Sequence, residues 1–262
     1  MLVNVVGMGL PGAGTALLVS NLAIAVVTLV ALHRHLGTTP RALLSGRVSL
    51  GHLVHMARVG IPMAGTVLVK FGVLGVLAFA AALAGTTDAA VHSIATSLVG
   101  TTFTAAVAIG QATIPLVSAA VREGDLAAVW RTVTAALVTA TGTLGLICAG
   151  LLVFRSPVIS WFTADPVVAA GILSLLLLVV AAIIADGAQA VLGFGLTGLK
   201  RSAPSFVVFT LCYGVLAVAV PVVDDAGLVG LWAALAVANL LVTCGQALAF
   251  RRESIRVLRP GV

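Results

Sequence analysis

The sequence predicts an all-α, polytopic membrane protein with seven transmembrane helices, organised as one complete six-helix lobe plus one helix of a second lobe. Three observations lead there. Of 262 residues, 61% are apolar and 8% charged, with a mean hydropathy of +1.22, which lies outside the range of a soluble globular domain. The charges punctuate apolar runs of about 20 residues or more, the length that crosses a bilayer as a helix. A stretch near the N-terminus recurs near the C-terminus. GLPGAGTALLVSNL (residues 9–22) lies over GLVGLWAALAVANL (residues 227–240) with eight identities in fourteen, including Gly9/Gly227, Gly12/Gly230 and Asn21/Asn239.

The first run covers about residues 10–32. No basic region precedes it, and His33 and Arg34 follow it, so it reads as an internal helix lacking its predecessors rather than as a cleavable signal peptide. The repeat gives the same expectation: the last span closes a six-helix unit, the first closes a preceding copy, and five helices of that copy stand missing upstream of Met1. Four regions follow. Residues 1–32 are the last helix of an incomplete first lobe, 33–58 a basic cytoplasmic connection, 59–250 a six-helix second lobe, and 251–262 a basic cytoplasmic tail. Within the connection, Val48, Leu50, Leu53, Val54 and Met56 suggest a short amphipathic helix on the membrane surface. His52 and His55 on it lack a third metal ligand nearby and read as a solvated face.

Six further apolar runs lie at about 60–84, 90–120, 127–154, 167–199, 203–222 and 228–250. They are apolar on every side, unlike the alternating segments of a membrane barrel. Pro62 and Pro115 each remove a backbone hydrogen bond inside a span. Gly193, Gly195 and Gly198 either loosen the fifth span or admit close helix packing. Cys148, Cys212 and Cys244 lie within apolar runs, where small packing residues are expected and no disulfide or metal spacing occurs. Of the Lys and Arg residues that flank spans, all but Arg155 fall on one side, which gives a cytoplasmic C-terminus and an outside N-terminus in the cell (inner) membrane.

The net charge of +6 is distributed along span ends rather than on a soluble basic face, which excludes nucleic acid as a partner. No nucleophile with a base in reach, metal cluster or phosphate loop is visible, so no enzyme and no cofactor is expected. Gly193-Phe-Gly-Leu-Thr-Gly198 spells a dinucleotide fingerprint but lacks the preceding strand.

Two formal charges are buried in spans, Lys70 and Asp186. A centred Asp costs about 2.5–3.5 kcal/mol on an insertion scale, while each Leu, Ile or Val returns roughly 0.3–0.6. Ten such residues between 172 and 184 offset the charge, yet an intramembrane carboxylate still needs a partner or a water-filled cavity. Counted from the basic ends of their helices at about 1.5 Å per residue, Lys70 and Asp186 sit at similar depth, so a contact between them is expected. Gln189 follows Asp186 by three residues and shares its face. Gln111 and Thr66 are polar residues at membrane depth, and with Asp186, Lys70 and Gln189 they complete the expected substrate- and ion-binding set. His92, near the outer end of the third span, reads as local packing.

These pieces resemble the multidrug and toxic-compound extrusion (MATE) family. The matching residues are Gly60-Ile-Pro62, Ala89-Ala-Val-His92-Ser-Ile94 with Ala108-Ile-Gly110-Gln-Ala112, Gly124-Asp125, and Asp186-Gly187-Ala-Gln189 with Gly198 and Lys200, in an order that covers nearly the whole chain. The resemblance implies twelve helices in two six-helix lobes and export of drug-like compounds driven by sodium or proton entry. Its sodium-driven branch has an acid where Asp186 stands and another ten residues after the glycine of the Gly-x-Pro motif, a position that is Lys70 here. An ammonium therefore stands where that branch carries a carboxylate. The expected function is a secondary antiporter exporting amphipathic or cationic compounds, coupled to protons or sodium, with a small-molecule substrate, the lipid bilayer and a missing first lobe as partners. The alternatives are a half-transporter inactive alone and a lipid-linked saccharide flippase, the latter disfavoured by a single intramembrane base.

Overall fold

A computed structural model of the chain describes residues 9–36, 49–223 and 227–258. The described residues form eight helices and no strand: α1 (Gly9–Leu36), α2 (Leu50–Ala84), α3 (Thr86–Arg122), α4 (Leu126–Val153), α5 (Arg155–Ser160), α6 (Pro166–Gly198), α7 (Ala203–Val223) and α8 (Gly227–Leu258). All but the short α5 are long and apolar enough to cross a membrane, which makes seven candidate spans. Each begins and ends near the apolar run that predicts it. The exceptions are α2 and α8, which extend by a few turns into polar sequence.

Local chemistry sets the boundaries. Asp125 caps α4 by accepting from the Ala128 amide at 2.9 Å, and Asp165 caps α6 by accepting from Val167 at 2.8 Å, ahead of Pro166 at the first helical position. Gly124, at φ +71, supplies the left-handed residue in the turn before α4. At the end of α6, Lys200 donates to the Thr197 carbonyl and Arg201 to that of Leu196, the paired bonds of a Schellman cap. Lys200 carries the left-handed φ of +58 that this cap requires, alone among the described non-glycine residues. A side chain there costs about 1–2 kcal/mol relative to glycine.

The chain divides into two compact units, residues 1–54 and 55–262. In the first, α1 satisfies its own polar side chains: Thr15, Asn21 and Thr28 donate to the carbonyls of Gly12, Leu17 and Ile24. Residues 37–48, the middle of the expected basic connection, lie outside the described residues, as does the side chain of His52.

The second unit is built around α6, which runs through its middle with α3, α4 and α8 packed against it, while α7 packs on α8. Small residues make this approach possible. A Cβ at Gly198 would stand 2.8 Å from the Val117 side chain and 3.1 Å from the Ile114 carbonyl, and one at Gly187 would overlap Leu144. The buried core collects Ile172, Leu175, Val179 and Ile183 of α6 with Leu98, Leu144, Trp232 and Leu235 of the surrounding helices. Several polar groups inside it are paired: Tyr213 donates to Asn239 at 2.5 Å, Thr243 to the Ala185 carbonyl at 3.0 Å, and Ser118 to that of Gly198 at 2.9 Å, whereas Trp232 Nε1 has no partner among the described residues. The helix α2 makes no comparably close backbone approach. It reaches the core through side chains, Val73, Leu77, Ala80 and Ala81 among them.

Several expectations change. The short amphipathic helix of the connection is not a separate element, because its described part is the opening of α2, and neither Gly60 nor Pro62 interrupts that helix. The helix α3 continues through Pro115, as its apolar run predicts. Of the cysteines, Cys148 is buried as expected, but Cys244 is exposed, since it falls on the outer face of α8. The side chain of His55 lies outside the described residues.

Candidate functional site

The separation of α2 from its neighbours leaves a cavity of about 150 Å³ between α2, α6 and α7. Its walls are largely apolar and aromatic, with Phe71, Phe103, Phe194 and Phe209, and its polar groups are Lys70, Thr66, Gln189, Thr197, Ser202, Ser205 and Gln246. Such a surface suits an apolar body bearing one or two polar groups.

Lys70, twenty residues into α2, reaches across to α6. Its Nζ lies 2.6 Å from Asp186 Oδ1 and 2.9 Å from Oδ2, so the ammonium straddles the carboxylate. Gln189, one turn further along α6, donates from Nε2 to Asp186 Oδ1 at 2.9 Å. The carboxylate therefore receives three donor contacts while its side chain is only 3% exposed. The ammonium sits 3.6 Å from the centroid of the Phe103 ring, a second favourable site for a cation. The expected contact between the two intramembrane charges is thus present, and burial makes it consequential. Removing either partner from a buried pair costs about 3–5 kcal/mol, because the other is left uncompensated.

The remaining expected residues divide. Thr66 lines the cavity and donates its hydroxyl to the Pro62 carbonyl at 3.0 Å. Gln111 does not join this group: it is exposed on α3 and is absent from the cavity wall. His92 is buried near the start of α3, with its ring tilted against Trp232 at 5.7 Å. Sequence reasoning missed Phe103, Ser205 and Gln246. Gln246 is fully buried, donates to Ser205 Oγ at 2.8 Å, and keeps an Oε1 with no protein partner among the described residues. Gly193 borders this corner, where a Cβ would make ordinary contact at 3.5–3.8 Å with the Gln246 amide and Ser205 hydroxyl. No group of three or more His, Cys, Asp or Glu that could hold a metal occurs among the described residues.

Comparison with known proteins fits this architecture. The MatE family model matches residues 62–223. The chain is 30% identical over 206 residues to the probable multidrug resistance protein NorM of Xanthomonas axonopodis pv. citri (strain 306), covering 77% of this chain and 45% of that protein. It is 25% identical over 272 residues to the protein of the same name from Pseudomonas syringae pv. tomato, covering 96% and 57%. The chain thus spans about half the length of the curated relatives it matches. Among solved structures, it superposes on the eukaryotic MATE transporter AtDTX14 with a TM-score of 0.80 at 19% identity, covering 99% of this chain and 60% of that one. On a MATE protein solved in the straight conformation the TM-score is 0.81 at 19% identity, covering 98% and 59%. These structural likenesses speak for the fold. With the family match spanning well over half of the chain, this multi-pass membrane protein belongs to the MATE (multidrug and toxic-compound extrusion) family, whose members are transporters rather than enzymes.

Proposed function

We propose that the chain serves as a secondary active efflux transporter of amphipathic or cationic compounds, with Asp186 as the switching group and Lys70, Gln189 and Thr66 around it. The observation that carries this reading is the Lys70–Asp186 pair buried beside an aromatic-lined cavity. In the paired state the site is neutral and α2 is tied to α6. A proton or a substrate cation on Asp186 cancels the carboxylate charge and frees the ammonium, which retains the Phe103 face worth about 0.5–2 kcal/mol. Release of α2 from α6 then accompanies occupancy, and alternating access follows from the movement of one helical bundle against another.

Coupling to protons is favoured over sodium. The ammonium covers both carboxylate oxygens, and a sodium ion needs several oxygens at once. We also propose that residues 59–250 form a second lobe and that α1 closes a first, with cargo passing between lobes and the C-terminus in the cytoplasm. A lipid-linked saccharide flippase is disfavoured, since the one base in the cavity wall is already paired. Gln111, exposed on α3, stands outside the proposed set.

The test is transport in proteoliposomes with an imposed proton or sodium gradient and a fluorescent lipophilic cation as cargo. Asp186→Asn should abolish gradient-driven export. Export that persists unchanged in this variant sinks the proposal, and export that follows the sodium gradient alone replaces the proton.

A further inference from the structure

Beyond Ser202, which also lines the cavity, the ends of four helices surround a recess of about 760 Å³. Five cationic side chains line it, Arg58 from α2, Arg122 from α3, Lys200 and Arg201 from the turn after α6, and Arg256 from α8. One carboxylate, Glu253, faces them. It is divided between Arg201, at 3.7 Å, and Arg256, at 3.3 Å, so it cannot neutralise both. Arg58, Arg122 and Lys200 have no carboxylate partner among the described residues. The recess therefore holds five positive charges against one negative.

Helix-end electrostatics account for only part of this. Arg122 and Arg256 lie in the last turns of α3 and α8, where a cation complements the helix dipole. Arg58 lies in the interior of α2, and Lys200 and Arg201 stand between the negative end of α6, which favours a cation, and the positive end of α7, which does not. Ser202, the residue before α7, does not relieve that end, because its hydroxyl is directed to the Val59 carbonyl at 2.7 Å. Lys200 adds a second anomaly. It occupies the left-handed position of the α6 cap, where glycine is relaxed and a side chain is strained. An observed backbone outlier of this kind points to a task for its side chain.

We propose that this recess binds a phosphate-bearing anion, with Lys200 and Arg201 as its principal contacts. A recess between helix ends at the basic side of a membrane protein meets the headgroups of anionic phospholipids, and a free phosphate has the same chemistry. Binding cancels the uncompensated charge and ties the ends of α3, α6 and α8 to α2 at one point. The site shares Ser202 with the cavity wall but neither residue of the ion pair.

The experiment uses the full chain purified in a neutral detergent, with binding read by native mass spectrometry and by thermal unfolding. Phosphatidylglycerol, phosphatidylcholine and inorganic phosphate are the probes. Phosphatidylglycerol is expected to bind and to raise the unfolding temperature, and phosphatidylcholine to do neither. Each base near such a surface contributes about a fivefold change, so Lys200→Gly combined with Arg201→Gln should weaken phosphatidylglycerol binding about 30-fold. Lys200→Gly alone provides a check on folding, since it relieves the strained cap. It should raise the unfolding temperature without lipid while reducing the gain from phosphatidylglycerol. An equal response to inorganic phosphate supports the anion site and assigns it to a free phosphate. No preference for phosphatidylglycerol or phosphate over phosphatidylcholine overturns the proposal, as does a preference that survives the double substitution.

Discussion

Replacing Lys70 with Met removes the ammonium from a carboxylate that is 3% exposed and leaves it with one remaining side-chain donor, the Gln189 amide. Methionine keeps the length and apolar stem of the lysine, so packing against Phe71 and Phe103 changes little. The electrostatic loss dominates, and an unpaired buried charge costs about 3–5 kcal/mol. Converse truncation, Asp186→Leu, leaves the ammonium with the Phe103 ring and costs less, because the ring returns about 0.5–2 kcal/mol. The double variant has no buried charge and loses only the Gln189 hydrogen bond, so it should come within about 1–2 kcal/mol of the parent. The coupling energy between the two sites is then about 3 kcal/mol or more. In thermal unfolding of the detergent-solubilised chain, followed by helical circular dichroism, Lys70→Met should lower the midpoint by roughly 6–20 °C, at about 2–4 °C per kcal/mol. The double variant should recover most of that. Additive effects of the two substitutions, or a loss below about 1 kcal/mol for Lys70→Met, would refute a buried ionic tie.

Three further substitutions probe other parts of the second unit. Gly198→Ala places a methyl 2.8 Å from the Val117 side chain and 3.1 Å from the Ile114 carbonyl, and overpacking of this kind should cost about 1–3 kcal/mol in the same unfolding assay. Tyr213→Phe leaves Asn239 Oδ1 buried without its donor, with an expected loss of about 1–3 kcal/mol and no recovery on changing pH between neutral and mildly acidic. Gln246→Leu removes one hydrogen bond to Ser205 and also the oxygen that lacks a protein partner, so stability should change by less than about 1 kcal/mol. Binding of a cargo bearing N–H groups, measured by fluorescence anisotropy, should nonetheless weaken in that variant.

The number and order of the spans were legible in the sequence because burial in hydrocarbon leaves a compositional trace. Hydropathy reads the part of a helix that meets lipid, and backbone hydrogen bonding carries the helix further. This is why α2 starts at Leu50 and α8 runs to Leu258, well beyond their apolar runs. Lys70 and Asp186 were legible as partners for a related reason: two lone charges at the same depth have few other places to go. Gln189 followed from helical spacing. Gln111 did not join them, since polarity at membrane depth does not specify the face, and its face of α3 is exposed. Phe103 and Gln246 went unnoticed for the opposite reason. An aromatic side chain in an apolar run looks like any packing residue, and a glutamine sixty residues along from Asp186 gives no local sign of a shared wall. The strain at Lys200 lies beyond sequence altogether, because only the backbone shows that a lysine holds the place of a glycine.

The loose attachment of α2 has a mechanical meaning. The other long helices of the second unit are clamped to their neighbours along many turns, so the breaking of one contact is absorbed locally. The span Met56–Ala84 meets the core through side chains such as Leu77 and Ala81 instead, and on the proposed reading the ionic tie to α6 near its midpoint would act as a clutch. When engaged, it makes the helix move with the bundle. On the proposed reading, discharge of the carboxylate would gear a change of one elementary charge at one residue into the position of a 29-residue rod.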